Sequence, residues 1–131
     1  MKNALFIMTM FLGVTGFSQN QAECNQLPYA KVDTKAEAVG NLNDVIASSL
    51  PSSLAEDGTH ETVFKMYVDC FGNATKLKIE KTNLNDADSK WLWNVMLNSE
   101  WTPATAMKKN VTSTIFVTVK ITNGEVEATV Q

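Results

Sequence analysis

Between residues 111 and 121 the chain alternates without interruption. Val111, Ser113, Ile115, Val117, Val119 and Ile121 fall on one side of an extended strand; Thr112, Thr114, Phe116, Thr118 and Lys120 fall on the other. Successive side chains of a strand point to opposite faces, so this pattern predicts a strand with one buried and one solvated face. Neither Pro nor Gly interrupts it. Two shorter alternations precede it. From Glu61, residues Thr62, Phe64, Met66 and Val68 share one face, against Val63, Lys65, Tyr67 and Asp69. In the next segment Leu77 and Ile79 read inward, and Lys76, Lys78 and Glu80 outward. The five residues Asp69-Cys70-Phe71-Gly72-Asn73 join these two, with a glycine where positive φ is expected, which predicts a hairpin.

Elsewhere the spacing is helical. Thr34-Lys35-Ala36-Glu37 matches a capping box, in which hydroxyl and carboxylate satisfy each other's backbone donors at a helix start. Ala36, Val39, Asn43, Ile46, Ala47 and Leu50 follow as a stripe widened by Leu42 and Val45, and Pro51 ends it. Residues 52–60 read as a turn-rich connection with His60 as a polar loop residue. Asn85-Asp86 caps a second helix with a stripe of Ala87, Trp91, Leu92, Val95 and Met96, broken at Trp101-Thr102-Pro103-Ala104. Asn123-Gly124 is a turn signal that allows residues 125–130 to form a short final strand. Helices packed over one antiparallel sheet bury these stripes most economically. The expected fold class is therefore α+β, two-layer, with a three-stranded antiparallel sheet (ββαβ), an additional N-terminal helix and scope for a short C-terminal strand.

Residues 1–18 read as an address. Lys2 precedes an apolar run from Ala4 to Val14, and Gly16 and Ser18 supply the small residues of a cleavage site before Gln19, as in a secretory signal peptide. The alternative is an uncleaved inner-membrane anchor. Residues 19–31 form a polar, aperiodic lead-in, and residues 32–131 the domain. Export changes how Cys24 and Cys70 read, because outside the cytoplasm they can pair. Such a bridge closes a loop of about 46 residues, for which the loop-entropy description gives roughly 4 kcal/mol. Two free thiols and a catalytic thiol are the alternatives; the last lacks a CxxC motif or a histidine partner.

Composition narrows the function classes. The eleven basic residues are all lysine, the fourteen acids leave a net charge of −3, and no nucleic-acid surface is expected. One histidine and two cysteines do not make a four-ligand Cys/His zinc site. Without a nucleophile–base pair or metal-ligand spacing, the reading is a protein that is not an enzyme and takes no cofactor and no metal. Trp91 and Trp101 read as core anchors rather than a sugar platform, with Trp93 at the surface. Asp86 and Asp88 suit a helix first turn, where carboxylates complement the dipole. Lys108-Lys109 reads as a solvated loop.

The segment of residues 63–83, VFKMYVDCFGNATKLKIEKTN, followed by a helix and Trp101-Thr102-Pro103-Ala104, resembles the C-terminal domain of TonB-type energy transducers in its short exported form. Asp69 and Gly72 match the family's turn between strands, and Trp101, Pro103 and Ala104 its W-x-P-A signature; the resemblance covers residues 32–121. It implies a periplasmic protein-interaction module, linked to TonB-dependent transport, that pairs an exposed strand with a segment of an outer-membrane receptor or with a second copy of itself. If the 111–121 strand lies at the sheet edge, Thr112, Thr114, Phe116, Thr118 and Lys120 are the partner-binding residues. Contact with the membrane is then only indirect.

The chain also departs from that family. With three prolines it has no long proline-rich spacer, and Cys70 and Phe71 widen a turn that is usually Asp-x-Gly. The residues past 124 can fold back and seal the edge. A secreted small α+β protein of enzyme or inhibitor type is the competing reading.

Overall fold

The computed structural model describes residues 24 and 27–131. The signal-peptide reading of residues 1–18 and most of the 19–31 lead-in lie outside the described residues.

The fold is α+β with antiparallel sheets. In chain order the elements are β1 (Glu37–Ala38), α1 (Leu42–Ala47), a 3-10 turn (Ser52–Leu54), β2 (Thr59–Val68), β3 (Ala74–Thr82) and α2 (Asp86–Leu97). Then follow β4 (Trp101–Thr102), β5 (Ala104–Ala106), β6 (Lys109–Val111), β7 (Ser113–Thr122) and β8 (Glu125–Val130). The main sheet has four strands in the order β3-β2-β7-β8, and β1-β4 and β5-β6 form two-stranded sheets.

The two-residue alternation places the core. Phe64, Met66 and Val68 of β2, with Ile115, Val117, Val119 and Ile121 of β7, are buried together with Leu42 and Ile46 of α1, Leu54, and Leu92 and Met96 of α2. Fully burying a side chain of this kind contributes about 1.5–3 kcal/mol, so register is fixed by the face that must stay dry. β2 and β7 pair from Thr59↔Thr122 to Val68↔Ser113 without a shift. The β2–β3 ladder shifts twice, and at the second shift Lys76 takes a positive φ of 51°.

Several expectations are corrected. The 111–121 strand is interior, not an edge: β2 pairs one side and β8 the other, because Asn123 and Gly124, at φ 50° and 84°, turn the chain back. The run also breaks at Thr112, where β6 leaves to pair with β5 and β7 begins. The main sheet consequently has four strands rather than three. The expected 36–50 helix shrinks to α1. Thr34 bridges Thr105 and Glu37 pairs with Thr102, so the capping-box residues are spent on strand pairing. Gly40, at φ 77°, separates β1 from the helix, and Asn41 caps it through Oδ1, which accepts from the Asp44 amide at 3.3 Å. His60 belongs to β2 rather than a loop, Ala87 is exposed, and Trp93 is half-buried against the core. Asn85 caps α2 as expected, accepting from the Asp88 amide at 2.8 Å. Trp101 is buried in the core, and Trp91 is half-buried with its indole N–H donating to Ser49 Oγ at 3.0 Å.

Cys24 and Cys70 are joined by a disulfide, with Cα atoms 5.9 Å apart. Such a bond persists in oxidising compartments and fits export. Among the described residues no helix is long and apolar enough to cross a membrane.

Candidate functional site: an open stretch of sheet edge

In an antiparallel strand the N–H and C=O of one residue face the same neighbour, and alternate residues face alternate neighbours. Along β7 the even-numbered residues therefore face away from β2. Phe116 exchanges both main-chain bonds with Gln131, at 3.0 and 2.8 Å, and Thr118, Lys120 and Thr122 continue that ladder against β8. At the other end the Thr112 carbonyl accepts from the Tyr29 amide at 2.9 Å. Thr114 lies between these two anchor points. Its N–H and C=O turn toward the same edge, and among the described residues no strand meets them. The span from Thr112 to Phe116 is about 13 Å at roughly 3.3 Å per residue, enough for about three residues of extended chain.

A cleft of about 440 Å³ opens at this gap, lined by Tyr29 of the lead-in, by Val32, Ala36 and Ala38 after it, and by Ile115 and Val130. Lys35 and Glu37 also line it. Ser113, 5% exposed, lines the cleft, and its Oγ is buried with no hydrogen-bond partner among the described residues. Leaving a buried hydroxyl unpaired costs about 1–3 kcal/mol, so a ligand that supplies a partner recovers that cost.

The other edges are guarded. β3 carries Lys76, Lys78 and Lys81 and is bent by its two register shifts, both devices that discourage strand addition. The outer edge of β8 is capped at its centre, where the Ala128 amide donates to Asn43 Oδ1 of α1 at 2.7 Å.

Of the five residues expected to bind a partner, Thr114 is the one whose main chain meets the gap. Thr112 is buried, Phe116 is 40% exposed, and Thr118 and Lys120 pair with Thr129 and Glu127. The five residues of the signature converge on one structural joint. Asp69 Oδ1 accepts from the Phe71 and Asn73 amides, both at 2.9 Å, which shapes the turn. Gly72, at φ 88°, lies so close to the Trp101 carbonyl that no Cβ fits, and the Trp101 amide donates to the Gly72 carbonyl at 3.1 Å. Pro103 flanks the same spot, and Ala104 is buried beyond it.

The sequence reading missed Ser113 as a cleft residue and the wall formed between Tyr29 and Ala38. The break that creates the gap was signalled only by Lys108-Lys109 before the alternation: Met107 and Lys108 both take positive φ, 54° and 65°, making a hairpin where a loop was expected.

Ser53 Oγ lies 3.1 Å from both carboxylate oxygens of buried Asp88, a strap between the 3-10 turn and α2. His60 Nδ1 is buried with no hydrogen-bond partner among the described residues. Among the described residues no group of three His, Cys, Asp or Glu side chains comes together that could hold a metal. Comparison of the chain with protein-family models, with curated proteins and with solved structures finds no match.

Proposed function

We propose that this chain is an exported protein-interaction module that receives an extended segment of a partner by strand pairing at the open stretch of β7. The observation that carries this reading is Thr114, whose main-chain donor and acceptor face a cleft while its neighbours on that edge are paired. A strand added there gains two hydrogen bonds, each about 0.5–1.5 kcal/mol net. Micromolar affinity needs about 8 kcal/mol, so the apolar floor of Ile115 and Val130 must supply most of the rest.

The TonB C-terminal resemblance gives this module its class. β2, β3, α2 and β7 occur in that chain order, with the short β4, β5 and β6 between α2 and β7, an order compatible with an elaborated ββαβ unit. The joint of Asp69, Gly72, Trp101 and Pro103 gives its signature a structural purpose. The partner on this reading is a periplasmic segment of an outer-membrane receptor or a second copy of the chain, and the disulfide supports a periplasmic site. No route for energy transduction is proposed, since the reading rests on binding alone.

Hydrogen exchange tests it. Adding a peptide from the periplasm-facing segment of a co-expressed outer-membrane receptor should protect the Thr114 amide and leave β3 amides unchanged. Protection confined to β3, or none with either receptor peptide or raised protein concentration, overturns the proposal.

A further inference from the structure

The sheet face opposite the core holds an arrangement that strand pairing alone does not explain. Lys65 and Lys78 stand directly opposite each other across the β2–β3 ladder, and residues opposite in register share a face. Like charges so placed destabilise a sheet. On its other side Lys65 faces Phe116, and its Nζ lies 5.9 Å from the centre of that ring. The ammonium group thus lies by the ring of a β7 residue two positions along the strand from Thr114. This cross-strand row, Lys78, Lys65, Phe116 and Gln131, contains no acid.

Lys81 and Lys120 of this sheet, by contrast, stand beside acids. Lys81 Nζ lies 3.9 Å from Glu61, and Lys120 stands between Glu61 of β2 and Glu127 of β8 in register. The chain as a whole is acidic, at −3, so two lysines in register beside an exposed aromatic ring, neither in an ion pair among the described residues although Glu80 follows Lys78 on β3, depart from its own surface. Local departures of this kind are expected at functional positions.

We infer that the open edge of β7 selects an acidic polypeptide segment, whose carboxylate side chain is received on the outer face by Lys65, with Lys78 behind it. The inference rests on the strand-pairing reading and names the partner chemistry of that site. In a paired strand alternate side chains part company: those on the inner side enter the cleft over Ile115 and Val130, and those on the outer side stand beside Phe116 and Lys65. The matching segment thus alternates apolar with acidic residues. A nucleic-acid strand would use the same cations and ring, but the acidic net charge opposes it.

The test uses fluorescence anisotropy with three labelled octapeptides alternating Val with Glu, Gln or Lys, against the intact oxidised protein. The Glu peptide should bind most tightly. Lys65→Gln and Lys78→Gln should each weaken it by about two- to fivefold, the scale of an exposed ion pair, and leave the Gln peptide unaffected. Raising salt from about 0.1 to about 1 M, which shortens the screening length from about 10 to about 3 Å, should erase the difference between the Glu and Gln peptides. Lys108→Gln and Lys109→Gln, in a separate hairpin, should change nothing. Equal binding of Glu and Gln peptides, lost in both when the peptide is N-methylated at alternate residues, overturns the acidic selection and leaves strand pairing standing. Selective binding of the Glu peptide that survives N-methylation overturns strand pairing and with it this inference as stated. Failure of all three peptides, or tighter binding of a short oligothymidine, overturns both.

Discussion

The amide of Trp101 donates to the carbonyl of Gly72, and the Trp101 carbonyl lies against the Gly72 α-carbon with no room for a Cβ between them. The hairpin turn between β2 and β3 is thereby locked onto the chain that follows α2. A positive φ and a backbone clash act at the same residue, so Gly72→Ala combines conformational strain with displacement of a main-chain bond. A loss of about 2–4 kcal/mol is expected, read as a lower urea midpoint with unchanged slope. A loss below about 1 kcal/mol would show that the turn moves freely away from Trp101.

The disulfide is the second support of that turn. Cys24→Ser with Cys70→Ser removes a bridge across a sequence separation of 46 residues, and the loop-entropy model puts the cost at roughly 4 kcal/mol. Domains of this size are typically stable by about 5–15 kcal/mol. The double variant should therefore still fold at 25 °C, with a substantially lower Tm by calorimetry. An unchanged Tm would mean that the bridge does not constrain the unfolded chain.

Asn43 closes the outer edge of β8 from the neighbouring helix. Asn43→Ala leaves the Ala128 amide facing solvent at a half-buried position, with an expected cost of about 1 kcal/mol. The distinctive sign is local: the Ala128 amide should exchange faster in deuterated solvent while β2 amides keep their protection. Uniform acceleration over the sheet would show instead that α1 supports the whole fold.

Deleting residues 125–131 strips β7 of the strand that covers it from Phe116 to Thr122. The shortened chain should be less stable, and a long, proline-free edge should then drive it to self-associate, visible as an earlier, concentration-dependent peak in size-exclusion chromatography. A monomeric, stable product would show that β8 is dispensable as a cover.

The strand faces were legible because burial enforces period two. Phe64, Met66 and Val68 could point only one way, and Ile115 to Ile121 could face only the same core. The disulfide and the cap at Asn85 were legible because each depends on few residues at short range or on pairing an even cysteine count. The N-terminal helix misled for a physical reason. Thr34 and Glu37 satisfy a capping box in isolation, yet Thr105 and Thr102 offer them strand partners that lie far away in sequence. Local preference yielded to tertiary pairing there. Whether the 111–121 strand was central or peripheral could not be read from its alternation, because pairing at its edges leaves no trace in its own side chains. The gap at Thr114 depends on where three separate segments stop, which is a property of the assembled sheet.

The unshifted β2–β7 ladder has a consequence for how the molecule forms. β2–β3 and β7–β8 are each hairpins closed by short turns, so each can form early from neighbours in sequence, on the microsecond scale typical of hairpins. The seam that joins them pairs Thr59 with Thr122 and Val68 with Ser113, and it must wait for α2 and the small sheets between them to be drawn in. Closing long loops before contacts repay them makes such seams slow. The rate-limiting event in folding is therefore expected to be the meeting of two preformed hairpins, and substitutions at Phe64 or Val117 should slow folding where those in β8 chiefly speed unfolding.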